Sequence, residues 1–286
     1  MSEQFADWLA ASAQSSPDHE ALVVGGRRWS YAELDAEASR LARRMASLGV
    51  KPDDRVATIL HNSAASAILP HAVLRLGATI VPLNNRLSER EFDFQIADSA
   101  PAVIIAEAAT LQNILHVSRG KPGLQTVSVD DAGAGILGNV SLSKIAESPI
   151  QLRLTHASDS VLAIIYTSGT TGSPKGAMLT VGNFHWSAKG SAHRLGAQPG
   201  DRWLACLPLF HVGGLSILMR SAIHATTAVV HEHFDAAAVN AAIDGGEATI
   251  VSVVPVMLQR MLDARDDKPY PGTLRLVLLG GGPAPR

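Results

Sequence analysis

Short apolar runs alternate with helical patterns along this chain, and that alternation does most to narrow the fold. Ser30-Tyr31-Ala32-Glu33 has the form of a capping box, a hydroxyl and a carboxylate three residues apart that serve each other's backbone N–H. Leu34, Ala38, Leu41, Met45 and Leu48 follow at helical spacing, and Gly49 closes the run. Residues 56–60 are short, apolar and flanked by polar residues, so they read as a buried strand. A helix is expected over 63–76, with Pro70 an awkward interior residue, and a strand over 79–83. Ser88-Glu89-Arg90-Glu91 is a second capping box, opening a helix to about residue 97, and 103–106 is the next strand. Residues 107–158 are punctuated by Gly, Asp, Ser and Asn and yield one short strand near 126–129 plus loops. Strands are then expected at 161–165, 203–207, 226–230, 249–253 and 274–279. Helices are expected at 183–194, 214–223, 235–243 and 255–262. Such alternation predicts the α/β class, with mainly parallel β-sheets flanked by helices.

The bulk properties exclude several functions. A chain of 286 residues can bury a large core. Its formal net charge of −2 lacks the basic footprint of a nucleic-acid binder. Cys206 is the single cysteine, so no intrachain disulfide can form. Residues 1–15 carry Glu3 and Asp7 and have no basic segment leading into an apolar one, so a signal peptide is not expected. The expectation is a cytoplasmic protein acting on small molecules, not on a membrane or nucleic acid, with a homo-oligomer left open.

One loop carries the chemistry. Tyr166-Thr167-Ser168-Gly169-Thr170-Thr171-Gly172-Ser173-Pro174-Lys175-Gly176 follows the strand expected at 161–165. Its glycines let backbone approach a ligand closely. The hydroxyls of Thr167, Ser168, Thr170 and Thr171 and the exposed N–H groups offer a dense set of donors, and Lys175 adds a mobile positive charge. Donors and a cation around a flexible turn suit a phosphate. The loop is not a Walker A motif, because Pro174 precedes the lysine and Gly176 follows it.

Two further clusters stand at strand ends, where α/β sheets gather their ligands. Leu207-Pro208-Leu209-Phe210-His211 follows the strand at 203–207, and Val212-Gly213-Gly214 then turns into an apolar helix. Leu279-Gly280-Gly281-Gly282-Pro283 ends the strand at 274–279, where bare backbone could lie against a flat ligand. His231-Glu232-His233 offers two imidazoles to a metal but no evident third ligand. Ser141-Leu142-Ser143-Lys144 matches the Ser-x-x-Lys pattern without the companion motifs that would give it meaning.

The loop 166–176 resembles the signature loop of the acyl-adenylate-forming, or AMP-binding, enzymes, which include acyl-CoA synthetases, luciferases and peptide-synthetase adenylation domains. The three clusters keep that family's order, and the resemblance covers essentially the whole chain. It implies that a carboxylate attacks the α-phosphorus of ATP to give acyl-AMP and pyrophosphate, and that the thiol of CoA then displaces AMP. It assigns Thr167, Ser168, Gly169, Thr170, Thr171, Gly172 and Lys175 to ATP, and Thr167 also to Mg2+. Gly280, Gly281, Gly282 and Pro283 are assigned to adenine and the acyl group. Lys175 and His211 become the catalytic candidates, His211 flanking the acyl pocket beside an aromatic gate.

The wording of Asp201-Arg202-Trp203-Leu204, of 207–211 and of Gly214-Leu215-Ser216 is most similar to members that act on an aromatic dicarboxylate. His211 or Arg220 could seat the carboxylate that is not activated. Medium-chain or aryl acyl-CoA synthetases are the alternative. The family also uses a Tyr-Gly-x-Thr-Glu segment for Mg2+, an aspartate for ribose and a C-terminal catalytic lysine, none of which this sequence contains. The resemblance therefore implies residues 1–286 of an N-terminal part of the adenylation domain, with the C-terminal domain absent. The reading from another class is a fragment that binds a nucleotide or a partner without turnover.

Overall fold

The computed structural model describes residues 2–111, 114, 124–131, 140–167, 174–265 and 268–282. The chain divides into two compact units. The first comprises Met1–Ala10, Asp35–Leu60 and Ile68–Phe184. The second comprises Ala11–Leu34, His61–Ala67 and His185–Arg286. Each is α/β, as the alternation predicts.

The N-terminal residues supply strand β1 (Gln4–Ala6), helix α1 (Trp8–Ser15) and a hairpin of β2 (Glu20–Val24) and β3 (Arg27–Ser30). The sequence reading missed all four. The hairpin turns at Gly25 and Gly26, whose φ values of +56° and +82° match the right-handed twist of a two-residue loop. Helix α2 (Tyr31–Ser47) begins as its capping box requires. The Ser30 N–H donates to Glu33 Oε2 at 2.9 Å, and the Glu33 N–H donates to Ser30 Oγ at 3.2 Å.

The first unit holds a six-stranded sheet. Its strands are β4 (Arg55–Ile59), β5 (Thr79–Pro82), β6 (Val103–Ala106), β7 (Gln125–Ser128), β9 (Val161–Thr167) and β10 (Lys175–Thr180), in the order β10-β9-β5-β4-β6-β7. All neighbours are parallel except β10, which returns antiparallel along β9. The central strands are buried on both faces, which is why they read as unbroken apolar runs. Helix α3 (Ala64–Leu76) tolerates Pro70 in its interior. Helix α4 (Glu89–Ser99) lays Phe92 and Ile96 on Ile59, Val81 and Ile104. Strand β8 (Thr155–Ala157) pairs antiparallel with β1, and the sequence offered no pattern for it.

A buried ionic cluster ties this ribbon to the helices. Arg75 Nη2 donates to Asp7 Oδ1 at 2.9 Å and to Asp35 Oδ1 at 2.5 Å, and His156 Nε2 lies 3.2 Å from Asp7 Oδ2. Arg75 is 1% exposed and Asp7 2%. Burial alone would raise the Asp7 pKa, but His156 and Arg75 together hold it well below the carboxylate range.

The second unit holds the other sheet, β14-β13-β11-β12-β2-β3, built with β11 (Arg202–Ala205), β12 (Thr227–Val230), β13 (Ile250–Val253) and β14 (Leu276–Leu279). It is parallel apart from β3 at one edge. Helix α5 (Val181–Leu195) leads into this unit. Helices α6 (Val212–His224), α7 (Ala236–Asp244) and α8 (Pro255–Asp263) follow β11, β12 and β13. The core joins Leu204, Val251 and Val253 to Val239, Ile243 and Met261. Among the described residues no helix is long and apolar enough to cross a membrane.

Candidate functional site

The phosphate-loop candidate is a hairpin connection. Thr167 ends β9 and Lys175 opens β10, and the two are register partners in the antiparallel ladder. Both are exposed. Ser168, Gly169, Thr170, Thr171 and Gly172 lie outside the described residues. The base of the hairpin is pinned by Tyr166, whose hydroxyl donates to Asp98 Oδ2 at 2.6 Å and to the Gln95 carbonyl at 3.2 Å. Burial, and then the Asp98 charge, raise the phenol's pKa, so it remains a donor. Gly176 sits opposite Tyr166. A Cβ there would come within 2.8 Å of Ile164 Cγ2 and 3.4 Å of the Tyr166 ring. The loop therefore leaves the sheet from a fixed platform, with Lys175 making no ion pair among the described residues. An unpaired ammonium beside an exposed threonine fits the phosphates of ATP. One hydroxyl cannot make a metal site by itself, so Mg2+ would take its other oxygens from phosphate and water. No group of three His, Cys, Asp or Glu side chains converges among the described residues, His231, Glu232 and His233 included.

His211 is the N-cap of α6, with extended backbone at φ −102° and ψ 150°. Its ring meets Phe210 edge to face, 4.5 Å between centroids. Although the residue is exposed, partial desolvation of the ring lowers its pKa below the ordinary histidine value, so the neutral imidazole prevails at pH 7. The loop that carries it is gripped from two sides. Asn62, 6% exposed, donates from Nδ2 to the Leu207 carbonyl at 3.0 Å and accepts from the Leu209 N–H at 2.8 Å. Opposite, a Cβ at Gly214 would lie 2.5 Å from the Pro208 carbonyl oxygen, so α6 can begin against this turn only with glycine. Asn62 was not anticipated, since nothing in a single sequence distinguishes it from any polar residue after a strand.

Gly280, Gly281 and Gly282 are exposed and follow β14. The Gly280 N–H donates to the Val253 carbonyl at 3.1 Å, which extends the β13–β14 pairing into the turn. Gly281 has φ +73°, and a Cβ there would meet Val254 Cγ1 at 3.1 Å. The turn thus lies along Val254 and Pro255 at the start of α8. Pro283 lies outside the described residues. The His211 loop and the glycine turn both follow carboxyl ends of parallel strands in one sheet, the position where such sheets hold ligands.

Arg220 does not join them. Its guanidinium stacks 4.5 Å from the Trp203 ring centroid, near the start of β11, whereas His211 follows that strand's other end. Burial lowers its pKa, and its Nε has no partner among the described residues. A helix that runs back along its strand carries its last turns away from the strand's carboxyl end.

Comparison with known proteins places this geometry. The model of the AMP-binding enzyme family matches residues 9–286. The chain is 39% identical over 279 residues to the 2-succinylbenzoate–CoA ligase of Bacillus licheniformis, covering 98% of this chain and 55% of the relative. It is 36% identical, with a TM-score of 0.89, to the o-succinylbenzoate CoA synthetase of Bacillus subtilis in complex with the acyl-adenylate intermediate OSB-AMP, covering 99% of this chain and 55% of that one. The same enzyme in complex with ATP and magnesium ion also matches at 36% identity and a TM-score of 0.89, covering 99% of this chain and 56% of that one. The chain spans about half the length of the curated relatives it matches.

Proposed function

The chain belongs to the AMP-binding enzyme family, and we propose that residues 1–286 form the N-terminal part of the adenylation domain of a 2-succinylbenzoate–CoA ligase of menaquinone biosynthesis. The observation that carries this reading is the identity of 36–39% with such ligases along essentially the whole chain. In the proposed reaction an oxygen of the aliphatic carboxylate attacks the α-phosphorus of ATP and pyrophosphate leaves. The thiol of CoA then attacks the acyl carbon and AMP leaves. Thr167, Ser168, Gly169, Thr170, Thr171, Gly172 and Lys175 hold the phosphates, and Lys175 offsets charge that builds up as pyrophosphate departs. Thr167 contributes one oxygen to Mg2+, which supplies further charge neutralisation when bound. Gly280, Gly281 and Gly282 present bare backbone to adenine and the acyl group, and Pro283 is assigned to the same contact. His211, neutral at pH 7, offers a hydrogen bond beside the acyl chain, and Phe210 packs against it.

Within residues 1–286 the reading assigns contacts to phosphate, Mg2+, adenine and the acyl group. The test is pyrophosphate release and CoA-thioester formation by the whole protein, with ATP, CoA and either o-succinylbenzoate or medium-chain fatty acids. Turnover of o-succinylbenzoate supports the proposal. Turnover of fatty acids alone would replace it with a medium-chain acyl-CoA synthetase.

A further inference from the structure

The buried amide of Asn62 makes three hydrogen bonds in the second unit. Besides its bonds to Leu207 and Leu209, its Nδ2 donates to the His231 carbonyl at 3.0 Å. Both amide protons and the amide oxygen are thereby used on backbone groups, and two carbonyls facing one N–H leave a single orientation for the side chain. Leu207 and Leu209 belong to the turn after β11, and His231 directly follows β12. Asn62 thus joins the carboxyl ends of two neighbouring parallel strands, where their ladder has ended, with two donated bonds and one accepted. The turn it holds carries Phe210 and His211. Leu209, 4% exposed, anchors that turn in the core, and Gly214 blocks retreat on the other side.

We propose that Asn62 is the positioning residue for His211: it sets the height of the Phe210-His211 turn above the sheet and thereby the acyl-flanking imidazole. The inference rests on the reading of His211 given above. Asn62→Asp is nearly isosteric. It keeps an acceptor for the Leu209 N–H but aims a carboxylate oxygen at the Leu207 and His231 carbonyls, which repel it.

Two measurements test the proposal. In residues 1–286 with labelled histidine, nuclear magnetic resonance of Asn62→Asp should shift the His211 ring signals, through its altered contact with Phe210, and leave those of His19 and His193 in place. An unmoved His211 ring overturns the proposal. In the whole protein, the variant should lower kcat for adenylation by about ten- to a hundredfold, the loss expected of a misplaced group, with KM for ATP changed by less than about threefold. A matched rise in KM at constant kcat, or no kinetic change, also overturns it. Should the variant fail to fold, the unaltered chain decides: the Asn62 side-chain amide and the Leu209 N–H must exchange with solvent far more slowly than the N–H of exposed Val212. Equal exchange refutes the grip. A ring shift in a protein that does not turn over o-succinylbenzoate would leave Asn62 as the positioning residue and remove the substrate assignment alone.

Discussion

Acidification should loosen the first unit through His71. This residue lies on α3, 3% exposed, beside the Asp7–Arg75 pair. Burial lowers its pKa from 6.5 to about 4, the Asp7 carboxylate opposing and the Arg75 guanidinium adding to the fall. The folded chain therefore refuses a proton that the unfolded chain accepts below pH 6.5. Its contribution to stability is whole above the unfolded value and is lost as pH falls toward the folded one. With these two values, linkage removes about 2 kcal/mol between pH 7 and pH 5. Asp7 acts in a different window, because its lowered pKa matters only below its ordinary value of 3.8. His71→Gln cannot titrate, so urea unfolding of the variant at pH 7 and pH 5 should show about 2 kcal/mol less loss than the parent. His211, His224 and His231, whose pKa values are also lowered, contribute to both proteins and cancel in the difference. Equal acid sensitivity of parent and variant, within about 0.5 kcal/mol, would refute the assignment.

Three further outcomes follow from the site. Lys175→Ala should slow adenylation by the whole protein about ten- to a hundredfold, the worth of one charged hydrogen bond, measured by pyrophosphate release, with unfolding unchanged because the side chain is exposed. Residues 1–286 alone should form no thioester; turnover within tenfold of the whole protein would show the catalytic groups to be misassigned. Gly214→Ala should cost about 1–3 kcal/mol of stability in urea unfolding, as overpacking does, whereas Gly280→Ala should leave unfolding unchanged and weaken AMP binding in calorimetry.

Many of the strands legible in the sequence were buried on both faces. Val103–Ala106 was read to the residue, because a central parallel strand has no polar face to blur its limits. The helices announced by Ser30 and Ser88 were legible because a capping box is a local bond pattern. What escaped included exposed edge strands and short strands with distant partners. β10 lies at the sheet edge with half of its six residues exposed, so no buried apolar run announces it. β1 and β8 pair across the chain with three residues each. The loops bearing Lys175, His211 and Gly280 were found because donors, glycines and apolar strands adjoin in sequence. Asn62 was not, because its three partners lie about 145–169 positions downstream. Arg220 was weighed as an alternative to His211 for seating a carboxylate because linear spacing ignores the direction in which a helix returns.

The glycines of the site divide by what they must accommodate. At Gly176 and Gly214 an added carbon would strike Ile164 or the Pro208 carbonyl, so the fold itself excludes a side chain. Gly281 is excluded by its positive φ and by Val254. Gly280 differs from all three: its φ is not positive, and a Cβ would meet nothing within 4 Å. Among the described residues no atom accounts for glycine there, although its N–H is used on Val253. A side chain at such a point would disturb only what arrives from solvent. If Gly280 meets adenine or the acyl group as proposed, a side chain there should disturb binding and leave folding unchanged. The same distinction separates Lys175 from Tyr166. Tyr166 is occupied by Asp98 and Gln95, while Lys175 makes no ion pair among the described residues.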